Sequence, residues 1–288
     1  MSAYDERRWT SRDGLSLFAR AYAASGEARL PVICLHGLTR NSKDFEDVAP
    51  IIAGWERRVI VPDVRGRGQS ERDPNPKNYR PPIYARDVLE MMAALDVPRA
   101  AFLGTSMGGI ITMTLAALRP KAVAAAILND VGPAIAPEGL ARILSYVGKT
   151  PAVRNWEDAA AFVRRINGVA LPQLADEQWQ DFARRTFRDG PEGPILDYDP
   201  AITVPLGKAP SRLSLWIAGL LFRRLARRRP TLLVRGALSD IITPDIANRM
   251  KRKAPGLIRV DVPGVGHAPM LTEPVAIDAI HQFLRTVP

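Results

Sequence analysis

Cysteine and histidine are scarce in this chain of 288 residues, which has one cysteine and three histidines. A single cysteine excludes an intrachain disulfide, which fits a reducing compartment. The histidines and the cysteine do not have the spacing of metal ligands, and the glycine-rich stretches do not fit a phosphate-binding pattern. We therefore expect neither a metal nor an organic cofactor. Cys34 lies in an apolar run, which predicts a buried strand residue and not a nucleophile.

Long apolar segments are also lacking. The chain has no hydrophobic run of about 18 residues, so no transmembrane helix is expected. The first residues contain no apolar segment that could serve as a secretory signal. Together with the single cysteine, these absences predict a cytoplasmic location. Hydrophobic residues nevertheless make up 47% of the chain, which is enough for a sizeable core in one large or two small domains.

Acidic residues are outnumbered by basic ones. The chain has 30 Asp and Glu against 40 Lys and Arg, a net charge of +10. Such a balance can indicate a nucleic-acid or anionic-membrane partner. The arginines are mostly spread along the chain and no nucleic-acid-binding motif accompanies them, so no nucleic-acid partner is expected. The exception is residues 223–229, where five of seven residues are arginine. They follow an apolar stretch at 213–222. We interpret the apolar stretch as a helix and the arginine-rich segment as a solvated connector. The alternative is that the two segments contact a membrane surface.

The most specific motif is Gly104-Thr105-Ser106-Met107-Gly108. An apolar run at 100–103 precedes it and a helical pattern follows it. In this strand–turn–helix context, G-x-S-x-G predicts a nucleophile elbow. The two glycines remove side chains that would collide where strand and helix meet, so that the Ser106 hydroxyl can project from the sheet.

A serine hydroxyl needs a base within hydrogen-bond reach and an acid that orients the base. His267 lies in a loop rich in glycine and proline after a predicted strand, where a scaffold presents catalytic groups. Asp240 follows the strand before it and is the predicted acid. Asp130, at the end of an earlier strand, is the alternative acid. His281 falls in a predicted terminal helix, where we expect it to be partly exposed.

The order Ser106, Asp240, His267 is that of the α/β-hydrolase arrangement, and the chain resembles the α/β-hydrolase superfamily over nearly its whole length. Residues 35–38, Leu-His-Gly-Leu, resemble the His-Gly-x oxyanion loop of that superfamily. Residues 63–70, Asp-Val-Arg-Gly-Arg-Gly-Gln-Ser, resemble its D-x-R-G-x-G-x-S turn. The resemblance is to the esterase-like branch, which includes C–C bond hydrolases and carrier-protein methyl esterases. Haloalkane dehalogenases and epoxide hydrolases carry aspartate at the elbow and are disfavoured.

The resemblance implies further roles around the nucleophile. The backbone N–H groups of Leu38 and Met107 would form the oxyanion hole. His36 would shape the oxyanion loop through hydrogen bonds. Arg65 and Arg67 are expected to brace loops by binding backbone carbonyls, with a carboxylate clamp as the alternative.

The predicted fold class is α/β. Alternating strands and helices predict a mostly parallel sheet with helices on both faces, and the resemblance implies eight strands with a helical cap inserted after the sixth. Residues 1–133 and 230–288 would form the core. Residues 134–229 would form the cap, because their helical segments (138–147, 156–166 and 176–187) show little strand signal between them.

The cap would determine the substrate, and its sequence offers two sets of candidates. Four aromatic residues could line an apolar pocket: Trp156, Trp179, Phe187 and Trp216. Seven arginines could meet an anionic substrate, although a solvated basic face is the simpler interpretation: Arg142, Arg154, Arg164, Arg165, Arg184, Arg185 and Arg188.

These features predict a serine hydrolase that cleaves carboxylic esters of small to medium acyl groups through an acyl-enzyme. Hydrolysis of C–C bonds in meta-cleavage-type dienoates, or of lactones, is the enzymatic alternative, since a fold does not fix the chemistry. A ligand sensor and a peripheral membrane protein are the non-enzymatic alternatives. The expected partner is a small ester, and the chain would be a monomer or a homodimer.

Overall fold

The computed structural model describes residues 4–149, 152–206 and 211–288. Its main sheet has eight strands, in the order β1-β2-β4-β3-β5-β6-β9-β10. These strands are β1 (Asp5–Thr10), β2 (Ser16–Tyr22), β3 (Arg29–Leu35), β4 (Arg57–Pro62), β5 (Ala100–Thr105), β6 (Val123–Asn129), β9 (Thr231–Gly236) and β10 (Ile258–Val262); a separate hairpin pairs β7 (Phe187–Arg188) with β8 (Ile195–Leu196).

Helices surround the sheet and fill the connections. They are α1 (Val48–Ala53), α2 (Pro81–Ala94), α3 (Met107–Leu118), α4 (Pro137–Tyr146), α5 (Trp156–Asn167), α6 (Asp176–Thr186), α7 (Arg212–Ala226), α8 (Pro244–Lys253) and α9 (Pro274–Arg285), with short 3-10 helices at Ser42–Phe45, Pro76–Asn78 and Pro200–Leu206.

The pairing confirms the predicted mostly parallel, eight-stranded α/β sheet. All pairs from β4 to β10 along the sheet are parallel, while β1–β2 and β2–β4 are antiparallel. Every residue of β6 and all but the last of β5 are buried. Continuous apolar strands are stable in this setting because helices cover both faces of a parallel sheet. The carboxyl ends of β5, β6 and β9 therefore meet at one buried edge.

One predicted helix is divided in the structure. The sequence predicts a helix from residue 41 or 42 to about 53, but a 3-10 turn at Ser42–Phe45 precedes α1. The Asn41 side chain caps the turn by accepting a hydrogen bond from the Lys43 N–H at 2.9 Å. Pro50 has no N–H to donate and fits only in a first helical turn, so α1 cannot begin earlier.

The region between β6 and β9 is mainly helical, and it also contains the β7–β8 hairpin, which the sequence did not predict. Helices α5 and α6 pack against each other, whereas α7 packs against α3, the helix that follows β5. The division into core and cap at residues 134 and 229 stays a prediction. Within the described ranges, no helix is both long and apolar enough to cross a membrane.

Candidate active site

Ser106 occupies a strained turn between β5 and α3. Its φ of 51° and ψ of −112° lie outside the conformations that a side chain ordinarily allows. A Cβ at Gly104 would lie 2.4 Å from the carbonyl carbon of Gly108, and one at Gly108 would lie 2.0 Å from the Leu35 oxygen. Only glycine fits at either position, because the strand and the helix approach to backbone contact. The turn has the geometry expected of a nucleophile elbow.

His267 connects Ser106 to a carboxylate. Its Nε2 lies 3.1 Å from Ser106 Oγ and its Nδ1 lies 2.7 Å from Asp130 Oδ2. Both distances are hydrogen-bond lengths. With Nδ1–H donating to the carboxylate, Nε2 is left as the acceptor for the serine proton. This arrangement has the base and the orienting acid that an acyl-transfer serine requires.

Asp130 is held from three sides at the end of β6. It has no exposed surface. Its Oδ1 accepts a hydrogen bond from the Gly236 N–H at 3.0 Å, and its Oδ2 accepts from the Ser239 hydroxyl at 2.6 Å as well as from His267. A buried carboxylate must have such donors to compensate for its lost hydration. The donors also fix the direction in which the carboxylate faces the imidazole.

The structure corrects the predicted acid. Asp240 does not contact His267; its two carboxylate oxygens accept hydrogen bonds from Arg142 of α4, at 2.6 and 2.9 Å. This hydrogen bonding lowers the pKa of Asp240, which stays ionised. Asp240 lies four residues beyond the end of β9, and the chain turns so that Ser239, not Asp240, binds the Asp130 carboxylate. The alternative acid, Asp130, occupies the position against the histidine.

The oxyanion loop is braced as the resemblance implied. His36 accepts a hydrogen bond from the Val64 N–H through Nε2 at 3.0 Å, and its Nδ1 lies 2.8 Å from the Gly37 oxygen. Burial lowers the pKa of His36 to about 4, so the ring is neutral and Nδ1 is the donor. Arg67 donates to the Leu38 oxygen at 3.0 Å. Leu38, whose N–H the resemblance assigned to the oxyanion hole, is thus held through the peptide groups on both of its sides.

Met107 carries the other proposed donor. It is the first residue of α3, whose first N–H groups have no acceptor within the helix. The helix dipole adds partial positive charge at this end. An oxyanion placed here would be stabilised by both effects.

The two arginines of the 63–70 turn have different partners. Arg67 binds backbone carbonyls, as predicted: besides Leu38, it donates to the Arg65 oxygen at 2.8 Å. For Arg65 the prediction is wrong, because this buried side chain binds three carboxylates, those of Asp13, Asp73 and Asp87. Burial of a guanidinium in the core requires this compensation.

A cavity of about 130 Å³ opens beside Ser106 and His267. This volume is close to that of the engineered protein cavity, about 150 Å³, which accommodates benzene. Its apolar lining comes from both the core and the helical region: Leu38, Phe45, Ile143, Val147, Ile166, Leu171, Phe182, Met270 and Leu271. Its polar lining includes Thr39, Arg40, Tyr146 and Asn167. Burial raises the pKa of Tyr146, so its hydroxyl remains a potential donor.

The predicted pocket aromatics are not in this lining. Trp179 and Phe187 are buried against other aromatic rings, with centroid distances of 5.8 Å to Phe182 and to Phe162 respectively. Trp156 lies under the Arg184 guanidinium, 3.9 Å from it. Trp216 lies on α7, away from the cavity, and is 63% exposed. Phe182, which the sequence did not single out, is the aromatic residue that α6 presents to the cavity.

The seven candidate arginines of this region are absent from the cavity lining as well. Most pair with carboxylates at the protein surface, for example Arg154 with Asp158 and Arg164 with Asp176. The cation that lines the cavity is Arg40, which follows the oxyanion loop. Its Nε donates to both carboxylate oxygens of Asp44, at 2.9 and 3.0 Å, and its guanidinium lies 4.1 Å from the Phe182 ring centroid. The closeness of Arg40 to the His-Gly-x motif was the signal that could have identified it.

Other predicted side chains lie where the sequence placed them. Cys34 is fully buried on β3, and burial raises the pKa of its thiol. His281 is partly buried on α9 and stacks on Trp55 at 4.5 Å. Among the described residues, no group of three or more His, Cys, Asp and Glu is placed to hold a metal ion.

Comparison with known proteins agrees with this architecture. The profile of the alpha/beta hydrolase fold family matches residues 31–274, and the chain belongs to that family. It is 36% identical over 275 residues to the 3-hydroxybutyrate-oligomer hydrolase of Cupriavidus necator, covering 93% of each chain. It is 29% identical over 167 residues to the 2-hydroxymuconate semialdehyde hydrolase of a Pseudomonas species, covering 56% of this chain and 57% of that protein.

A solved structure is also similar over the full length. A crystal structure of an alpha/beta hydrolase from Novosphingobium aromaticivorans has a TM-score of 0.90 and 42% sequence identity, with 99% of each chain covered. The family and the names of these relatives support a hydrolase.

Proposed function

We propose that this protein is a serine hydrolase that cleaves carboxylic esters of small to medium acyl groups, with Ser106 as nucleophile, His267 as base and Asp130 as acid. The observation that carries the proposal is the continuous hydrogen-bond chain from Ser106 through His267 to Asp130. It starts from a serine whose backbone is held in an elbow by glycines that no other residue can replace.

The reaction would proceed in two acyl transfers. The Ser106 oxygen attacks the ester carbonyl while His267 Nε2 takes its proton, and the oxyanion receives hydrogen bonds from the Leu38 and Met107 N–H groups. The imidazolium then protonates the leaving alcohol as the C–O bond breaks. A water molecule attacks the acyl-enzyme, again with His267 as base, and the carboxylic acid leaves. Asp130 stabilises the imidazolium in both halves.

Esters of short hydroxy acids are the substrates we would test first. The cavity beside Ser106 has room for a group about the size of benzene, which suits a four-carbon acyl unit. A relative that is matched over nearly its whole length is named a 3-hydroxybutyrate-oligomer hydrolase. The second candidate is C–C bond hydrolysis, favoured by the relative named 2-hydroxymuconate semialdehyde hydrolase.

Hydrolysis assays with purified protein test the proposal. The substrates are the p-nitrophenyl acetate, butyrate and octanoate esters, the linear dimer and trimer of 3-hydroxybutyrate and, for the second candidate, a meta-cleavage-type dienoate. We expect saturable turnover that favours butyrate over octanoate and that Ser106→Ala abolishes. Ser145→Ala is the matched control, because Ser145 is an exposed serine on α4, and it should retain wild-type rates. Turnover that survives Ser106→Ala would refute the nucleophile; Ser106-dependent turnover of dienoates alone would replace the ester proposal with the C–C one.

A further inference from the structure

The first half of α7 has no cover among the described residues. Residues 212–217 are all exposed, around the whole circumference of the helix. Four of these six are apolar, and the exposed fractions of Leu213 and Trp216 are 64% and 63%. Farther along, Leu220 is 42% exposed. Large apolar side chains concentrated on one exposed segment indicate an interaction surface, whereas scattered ones do not.

The second half of α7 fixes this segment to the protein. Phe222, Leu225 and Ala226 are buried, and the helix packs against α3. The exposed turns are therefore an extension of an anchored helix. They are held outward from the main domain in a defined direction. A helix followed by an exposed connector agrees with the interpretation preferred from sequence, but that interpretation does not explain why apolar side chains are exposed in the first half of the helix.

An apolar groove with a basic edge lies alongside the exposed turns. Its lining is Pro133, Ala134, Leu215, Trp216, Gly219, Leu220, Phe222, Arg223, Ile246, Arg249, Met250 and Lys253, and its volume is about 310 Å³. Three of these residues are cationic and none is acidic. Arg224 and Arg228 add further exposed cations on the same helix and the turn after it. Among the described residues none of these five cations forms a salt bridge, so their charge is available to an anionic partner.

We propose that α7 and its basic edge dock this protein onto the surface of an anionic lipid bilayer. The apolar side chains at 213, 215, 216, 217 and 220 would enter the interfacial region, and the arginines would contact lipid phosphates. A tryptophan such as Trp216 is favoured at the boundary between head groups and acyl chains. The helix has 15 residues and is too short to span the hydrocarbon core, so it lies along the surface.

The five cations beside α7 favour an anionic bilayer over a second copy of the chain as the partner. In a two-fold dimer that buries the same surface, the five uncompensated cations of one copy would face those of the other. Like charges brought together in this way oppose association. An anionic bilayer instead compensates them, and the net charge of +10 adds long-range attraction to such a surface.

Vesicle flotation with the full chain tests this docking. We expect binding to vesicles of phosphatidylcholine mixed with phosphatidylglycerol and little binding to phosphatidylcholine alone. Leu213→Ser with Trp216→Ser and Ile217→Ser should abolish binding. Arg223→Gln with Arg224→Gln and Arg228→Gln should weaken the partition coefficient about a hundredfold, since the loss of each cation near an anionic surface weakens binding roughly fivefold.

A matched control separates local from overall charge. Arg12→Gln with Arg86→Gln and Arg99→Gln removes the same charge from other exposed positions and should reduce binding far less. Ser106→Ala should bind as the wild type does, which keeps the result independent of the proposed chemistry. A blue shift of tryptophan emission on binding, lost in Trp216→Phe while binding persists, would locate the contact at α7.

Three results would overturn the proposal. The first is no flotation of the wild type with anionic vesicles. The second is equal loss of binding in the two arginine variants, which would indicate attraction by net charge alone. The third is a lipid-free dimer in sedimentation that the serine variant of α7 converts to a monomer, which would identify the covering partner as a second copy.

Discussion

The sheet edge that carries Ser106 and the helices α4 to α6 above it are held together by different means. At the sheet edge, backbone contacts leave no room for a Cβ at two glycines, and Asp130 is fully buried with three donors. In the helical region, ion pairs lie at the surface: the side chains of Arg164 and Asp176 are 60% and 83% exposed. Exposed pairs contribute little to stability, commonly below about 1 kcal/mol.

Because of this difference, we expect the sheet edge to determine the reaction and the helices to determine the choice of substrate. The groups that would react are positioned by close packing, which tolerates almost no displacement. The side chains that line the far wall of the cavity, such as Ile143 and Phe182, belong to helices outside the sheet. We therefore expect substitutions at the sheet edge to affect turnover or folding, and substitutions in the helices to affect substrate choice.

The largest expected effect distinguishes the two aspartates. Asp130→Asn should lower kcat about ten-thousandfold, as loss of the orienting carboxylate does in other serine triads, because the imidazole loses its partner and its tautomer. Asp240→Asn should lower kcat less than about tenfold, because Asp240 binds Arg142 of α4 and does not touch His267. Steady-state kinetics on p-nitrophenyl butyrate provide the measurement.

Circular dichroism of both aspartate variants should first establish that they are folded. A collapse of kcat in Asp240→Asn, with Asp130→Asn nearly active, would show that the loop after β9 rearranges to supply the acid. Asp240 would then belong to the reacting groups at the sheet edge, and its contact with Arg142 of α4 would not describe the active enzyme.

A second prediction concerns folding. Gly108→Ala should lower the free energy of unfolding by about 3 kcal/mol or more, because its Cβ would collide with the backbone oxygen of Leu35. Gly219→Ala on α7 has nothing within 4 Å of the added Cβ and should raise the stability by about 0.5–1 kcal/mol. Urea denaturation measures both changes. A tolerated Gly108→Ala would mean that the elbow is far less tightly packed than its distances indicate.

The sequence predicted the sheet edge well because its signals are local. The G-x-S-x-G motif and the apolar run before it determine a strand, a turn and a helix, which together span residues 100–118. The mostly parallel sheet follows from a regular alternation of strands and helices. The bounds of α4, α5 and α6 also agree with the predicted helices to within a residue or so, since their periodicity is local too.

The errors concern contacts between distant parts of the chain. Both Asp130 and Asp240 follow strands, and spacing cannot reveal that Ser239 turns towards Asp130 while Asp240 turns to Arg142. The aromatic residues of the helical region could not be divided into core and cavity for the same reason. Trp179 and Phe182 are three residues apart on α6, yet only Phe182 lines the cavity.

Arg40 joins the two regions, and its substitution has the smallest expected effect. It binds Asp44 beside the oxyanion loop and Thr186 at the end of α6, while its guanidinium lines the cavity. A 3-hydroxybutyrate oligomer carries a terminal carboxylate, which this cation could attract. Arg40→Gln should therefore raise KM for the trimer several-fold, a change of about 1 kcal/mol, with kcat little altered. KM for the neutral p-nitrophenyl butyrate should change less than about twofold, and equal increases for both substrates would mean that Arg40 only shapes the cavity.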